Sequence, residues 1–257
     1  MSGEINVIKT NLELTDVPNQ TAVDERWDTN ASTRLTELAS YDDPAYRSLS
    51  NLITAEISDL VGAAKCARIL DVGCGVGALA AHLATLGHSV TAIDSSLTSI
   101  KEAANHYAGN NVVFTHSTLH ELVKSNPASY EIVVANMTLH CVPNLMPFLK
   151  DIETLLDQDG YFIATLPNPR TYLQTREDID VSNVDLLHDV ALEIPFRIRN
   201  HPIHPARVFY FHRPVRKYTQ AAAAAGLTVA DFVEPSQVGP GRPRDVILIV
   251  FQKSLSR

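Results

Sequence analysis

Short apolar runs alternate with longer segments of helical period through the middle of the chain. The run RILDV at 68–72 reads as a buried strand closing on a glycine turn. A helix is predicted over 78–86, stopped by Gly87, then a strand over 89–93 that ends at Asp94. A helix over 98–107, a short strand at 112–114, a strand at 131–135, a helix over 144–156 with Gly160 beyond it, and a strand at 161–166 continue the alternation. Strands spaced by helices in this rhythm specify βαβ units and a mostly parallel sheet.

The flanks differ. Residues 1–20 are polar, broken by Pro18, and read as an arm ordered on contact or as a frayed end. Residues 21–62 are dominated by helix formers. Asp42, Asp43 and Pro44 mark a helix start, and Leu49, Leu52, Ile53, Ile57 and Leu60 recur at helical spacing, which predicts a helical cap. Six prolines punctuate 167–214, where one helix is expected near 184–192, and a segment so rich in breakers reads as a substrate-side insertion. A helix over 215–225 capped by Gly226, a strand over 227–233 and a last strand over 246–251 then predict an antiparallel hairpin at the sheet edge. The chain thus reads as one α/β domain: arm and cap over 1–62, core over 63–166, insertion over 167–214, and the closing part of the sheet over 215–257.

Composition narrows the partners. Hydrophobic residues make up 45% of 257 positions, enough for a sizeable core. A formal net charge of -8 argues against nucleic acid or an anionic membrane as the main partner. Cys66, Cys74 and Cys141 show no paired spacing and read as reduced thiols. The first residues lack the apolar stretch of a signal peptide, and the run at 246–251 is too short to span a bilayer, so a cytoplasmic protein is expected.

The strongest chemical signal is ILDVGCGVGALA at 69–80. Alternate glycines let the backbone turn sharply and let a ligand approach at the carboxyl ends of parallel strands, beside a helix N-terminus. The string also fits the loose dinucleotide pattern. Two acids sharpen it. Asp71 stands two residues before Gly73 and would repel a pyrophosphate while favouring an ammonium or a sulfonium. Asp94, 21 residues after Gly73, is placed to accept hydrogen bonds from both hydroxyls of a ribose. The plainer alternatives are a turn residue for Asp71 and a helix cap ahead of Ser95 and Ser96 for Asp94.

On these residues the sequence resembles the class I S-adenosylmethionine (SAM)-dependent methyltransferase family, over roughly 68–250 apart from the insertion. Val72 to Gly77, Asp94 after VTAI, the strand ending at Asn136, and the Gly160 strand carry the likeness. His212, Arg213 and Pro214, the Ala225-Gly226-Leu227 turn and Glu234-Pro235 look like the tail of small-molecule members. The resemblance implies a Rossmann-like sheet of seven strands with the last antiparallel, SAM as cofactor and S-adenosylhomocysteine as product. By position it implies Gly73, Cys74 and Gly75 at the methionine portion and Asp94 with Ser95 and Ser96 at the ribose. Ser117 and Thr118 would sit near the adenine, and Asn136 and Met137 beside the sulfonium. Ser117 departs from an aspartate frequent at its position, so adenine contact there would rest on a hydroxyl or on backbone groups.

A base is needed only if the acceptor is protonated at neutral pH. His140, after the strand facing the methyl group, is the candidate; the alternative is a histidine that only bonds its loop. His201 and His204 are spaced as metal ligands would be, but prolines break the helix that ligation would use, so no metal is expected. No Asp or Glu occurs between Ile194 and Ala230, whereas Arg197, Arg199, Arg207, Arg213, Arg216 and Lys217 do. That basic stretch reads either as a solvated, ion-paired surface or as a lid in which Arg197, Arg199 and Arg207 clamp an anionic acceptor. Trp27, Tyr41 and Tyr46 of the cap would either close over SAM or substrate or pack into a core, and 209–211 (FYF) would wall the acceptor pocket. The expected activity is methyl transfer to an oxygen or nitrogen of a small, anionic metabolite. An NAD-dependent oxidoreductase and a non-catalytic SAM-binding protein are the alternatives.

Overall fold

The computed structural model describes residues 10–11, 13–14, 17–39, 44–62, 65–107, 109, 111–125, 128–196, 207–234 and 246–254. In chain order these form β1 (Thr10–Asn11), β2 (Glu13–Leu14), α1 (Gln20–Ala39), α2 (Pro44–Val61), β3 (Arg68–Val72), α3 (Ala78–Thr85), β4 (Ser89–Asp94) and α4 (Leu97–His106). Next come β5 (Val112–His116), α5 (Leu119–Ser125), β6 (Tyr130–Asn136), a 3-10 turn (Leu139–Cys141), α6 (Leu145–Leu155) and β7 (Leu156–Pro167). The insertion supplies β8 (Ile179–Asp180), β9 (Val190–Pro195) and β10 (Arg207–His212), and the chain continues with α7 (Val215–Ala225), β11 (Leu227–Val233) and β12 (Val246–Lys253).

The main sheet has seven strands in the order β11-β12-β7-β6-β3-β4-β5. Only β12 runs against its neighbours, pairing antiparallel with both β7 and β11. Successive residues in each strand face opposite ways. Thus Leu70, Val133, Phe162 and Ile249 pack on α6 and α7 through Leu149, Ile152, Tyr218 and Ala222. Their neighbours Ile69, Ile132, Ile163 and Val250 pack on α2 and α3 through Ile53, Ile57, Leu79 and Leu83. Burial on both faces explains why these strands read as continuous apolar runs rather than alternating ones.

The chain leaves β3 for β4 on one side, while β6 lies on the other. The strand order therefore reverses at β3, which opens a crevice at the carboxyl ends of the strands.

The insertion differs from expectation. No helix forms near 184–192. Instead β9 pairs antiparallel with β10, Leu192 facing Tyr210 and Ile194 facing Val208. These four side chains share one face, buried with Leu173 and Ile179 in a small core of their own. The two-residue period of Leu192 and Ile194 and the β-branched and aromatic content of 207–212 decide the outcome. Of residues 1–16 only 10–11 and 13–14 are described, and there β1 pairs with β8 and β2 with β9. Sequence periodicity also missed α5, whose roughly two turns bury only Leu119 and Leu122.

Candidate functional site

At the crevice the chain turns at Gly73, Gly75 and Gly77, all with positive φ. The Gly73 and Cys74 amides both donate to the Ile93 carbonyl, at 2.8 and 3.0 Å, which ties the turn to the end of β4. Two of the glycines are needed for different reasons. A Cβ on Gly77 would lie 2.6 Å from Phe114 and 2.8 Å from Ala103, so only glycine lets α3 start this close to β5 and α4. A Cβ on Gly75 would meet nothing within 4 Å, because that face opens on a cavity of about 1430 Å³.

Asp71, Gly73, Cys74, Gly75, Asp94, Ser95, Ser117, Thr118, Asn136, Met137 and His140 all line this cavity. The Asp71 carboxylate is 1% exposed, and neither of its oxygens has a hydrogen-bond partner among the described residues. Burial, with a smaller contribution from the charge of Asp94, raises its pKa from 3.8 to about 7. Asp94 closes β4, and its two oxygens accept from the Gly75 and Ser96 amides, each at 2.8 Å. Burial pushes its pKa upward despite those two bonds. Burial likewise pushes the Cys74 thiol well above its usual range, which leaves it an unreactive wall group.

Some residues named from the sequence serve the scaffold. Ser96 is fully buried and absent from the cavity wall. Its hydroxyl accepts from the Ser99 amide at 3.0 Å to cap α4, and donates to Asp28 of α1 at 2.7 Å. The Thr118 hydroxyl and amide are engaged by Glu121 in a capping box at the start of α5. Ser117 turns its hydroxyl onto the Thr118 carbonyl at 2.9 Å. Asn136 is held by Thr165, whose hydroxyl donates to its side-chain carbonyl at 2.7 Å and also receives the Met137 amide at 3.0 Å. Met137 adopts a φ of 56°, unusual for a residue with a side chain, directly at the cavity.

The expected substrate residues fare unevenly. Arg207 is not part of the cavity wall; its guanidinium donates to the Glu193 carbonyl, with the Glu193 carboxylate 3.9 Å away. Arg213 holds the Val142 and Pro143 carbonyls, Arg216 the Leu187 carbonyl, and Lys217 lies 3.9 Å from Asp189. The described members of the basic stretch are thus bound to their own neighbours. Tyr41, Arg197 and Arg199 lie outside the described residues, as do His201 and His204, and of Tyr46 only the backbone, in α2, is described. Strand alternation puts Tyr210 on the cavity, whereas Phe209 stacks under Arg26 and Phe211 under Arg213.

Sequence reasoning missed Tyr172, Arg176 and Phe196, which line the far end with Trp27, His140 and Tyr210. Trp27 meets Phe196 edge-on at 5.6 Å, and His140 lies 5.4 Å from Tyr210. It also missed Asp24 of α1, which accepts from the Ser95 hydroxyl at 2.6 Å and lines the cavity beside it. Among the described residues no group of three His, Cys, Asp or Glu is placed to hold a metal, and no helix is long and apolar enough to cross a membrane.

This geometry agrees with what the comparisons find. Residues 70–164 match the family model of a methyltransferase domain. The Burkholderia thailandensis 1,6-didemethyltoxoflavin-N1-methyltransferase, a structure with S-adenosylhomocysteine bound, superposes with a TM-score of 0.62 over 95% of both chains at 20% identity. The fold is that of the S-adenosylmethionine-dependent methyltransferases. An S-adenosylmethionine-dependent methyltransferase from Clostridium acetobutylicum superposes on the same fold with a TM-score of 0.61, over 88% of this chain and 99% of that one, at 13% identity. In sequence, the domain is 33% identical over 121 residues to a ubiquinone biosynthesis O-methyltransferase of Nitrosomonas europaea, covering 46% of this chain and 52% of that protein. It is 36% identical over 101 residues to the Caulobacter vibrioides enzyme of the same name, covering 38% and 40%. The chain therefore spans about half the length, or less, of these curated relatives.

Proposed function

We propose that this chain is a SAM-dependent methyltransferase that moves a methyl group to an oxygen or nitrogen of a small molecule and releases S-adenosylhomocysteine. The observation that carries this reading is the Asp71 carboxylate, buried on the cavity at the glycine turn and unpartnered among the described residues. A buried carboxylate without a donor is costly and calls for a cation from the ligand. The amino group of SAM supplies one, whereas the pyrophosphate of a dinucleotide would be repelled. Asp94 still has lone pairs for two ribose hydroxyls, since each oxygen accepts only one backbone N–H. Gly73, Cys74 and Gly75 offer backbone groups to the methionine portion, Ser95, Ser117 and Thr118 flank the nucleoside, and Asn136 and Met137 face the reacting end. These residues fit the group.

The cofactor supplies an electrophilic methyl carbon on a sulfonium. The chain's residues would bind it, exclude water and position the acceptor atom for transfer. His140, packed against Tyr210, is the group placed to take a proton from an acceptor hydroxyl or ammonium. An acceptor already unprotonated at neutral pH needs no such step. Relatives named for oxygen and for nitrogen methylation leave both atoms within the proposal. Clamping of an anionic acceptor would have to come from Arg197 and Arg199, because Arg207 is engaged with Glu193.

Calorimetric titration of the purified chain with S-adenosylhomocysteine and, separately, with NAD tests the reading. Heat with the first and none with the second is expected. The reverse result would replace the methyltransferase by a dinucleotide enzyme.

A further inference from the structure

The acceptor end of the cavity holds a hydroxyl that the fold does not use. Tyr210 of β10 is 2% exposed and lines the cavity, yet no described residue bonds to its hydroxyl. Its oxygen is not among the buried side-chain atoms that lack a partner, so the hydroxyl reaches the cavity, where a ligand can supply an acceptor. Its neighbour Tyr172, with ring centroids 5.5 Å apart, repeats the pattern. The Tyr172 oxygen accepts from Arg176 Nη1 at 3.3 Å, and no described residue takes its proton. Arg176 is itself fixed, by Asp178 through Nε at 2.9 Å and through Nη2, and by the Pro195 carbonyl at 3.0 Å. A phenol whose oxygen receives a charged N–H is a stronger donor through its own O–H.

Charge and shape restrict what these donors meet. Asp178 balances the Arg176 guanidinium, so this wall offers hydrogen-bond donors with little net charge. The described wall elsewhere carries Asp24, Asp71, Asp94 and Asp151, a setting that disfavours an anion. Trp27, Phe196 and His140 complete a set of rings that favours a flat π-system through offset or edge contacts.

We propose that Tyr210 and Tyr172 are the acceptor-specificity residues of this site, their two hydroxyls holding an oxygen on a flat, uncharged aromatic acceptor. The inference rests on the methyltransferase reading and names its substrate class. Both hydroxyls act as donors. Burial pushes Tyr210 well above the ordinary tyrosine range, which keeps it a donor throughout neutral pH.

The test uses the full chain saturated with S-adenosylhomocysteine and four probes: phenol, toluene, cyclohexanol and benzoate. Trp27, the single tryptophan of the chain and part of the cavity wall, gives the fluorescence signal. Phenol is expected to bind more tightly than the other three. Tyr210→Phe and Tyr172→Phe should each weaken phenol by about fivefold or more and leave toluene unchanged. Tyr210→Phe should melt no lower than the parent, because no bond within the protein is lost. A Tyr210→Phe protein that melts several degrees lower with phenol affinity intact would make the hydroxyl structural and overturn the proposal. Cyclohexanol binding as well as phenol would remove the flat ring, and benzoate binding more tightly would remove the uncharged acceptor. If S-adenosylhomocysteine itself fails to bind, the methyltransferase reading falls; if it binds and the probes are not discriminated, only this inference falls.

Discussion

Replacing Asp71 by Asn isolates the group on which the cofactor reading depends. In the folded protein Asp71 holds its proton up to about pH 7, whereas its ordinary value is 3.8. A carboxylate raised in this way favours the unfolded chain as pH climbs through that interval. At 1.36 kcal/mol per pH unit, the ionised form above pH 7 costs the fold about 4 kcal/mol. Asn keeps the shape without the charge. The ligand-free variant should therefore gain stability at pH 8, by up to that amount less whatever relaxation already relieves, and gain none near pH 4. Binding should move the other way. Only ionised Asp71 can pair with the ligand's ammonium, so parental affinity for S-adenosylhomocysteine should rise about fifteenfold from pH 5.5 to 7. Asp71→Asn should bind more weakly and lose that slope. Urea unfolding at the two pH values and calorimetry across the range read both effects. A variant that binds as tightly as the parent with the same pH slope, or is less stable at pH 8, would refute the reasoning.

Asp94→Ala should weaken S-adenosylhomocysteine by more than tenfold, about 1.4 kcal/mol, since it removes the ribose acceptor and the anchor of the Gly75 amide together; equilibrium dialysis measures it. The two glycines should separate binding from folding. Gly75→Ala strains a φ of 54° by about 1–2 kcal/mol but projects its methyl into open cavity, so thermal melting should show a folded protein that no longer binds the ligand. Gly77→Ala adds a collision with Phe114 to similar strain and should cost about 3 kcal/mol or more, seen first as a lowered melting temperature.

Much of the core is legible in the chain itself. The runs at 69–72, 90–93 and 132–135 are apolar except at Asp71 and Thr91, because helices cover both faces of the sheet. The glycine turn is legible because backbone conformation there excludes side chains at Gly77 by collision and at Gly75 by φ. Asp71 and Asp94 could be named because strand ends fix where their side chains fall. The insertion resisted reading. Its period-two signal spans a few residues interrupted by prolines, and β9 becomes a strand only because β10 and β2 arrive to pair with it.

The sequence alone determined the layered α/β architecture and the glycine turn with its two acids, since both follow from local periodicity and backbone sterics. Only the tertiary structure decided that Asp71 has no partner among the described residues, that Ser96 caps a helix instead of meeting the cavity, and that Arg207 turns to Glu193. It alone brought Tyr172, Arg176 and Tyr210 to one wall with His140. Those outcomes depend on which distant side chain arrives within about 3 Å, and hydrogen bonding and desolvation act over just that distance.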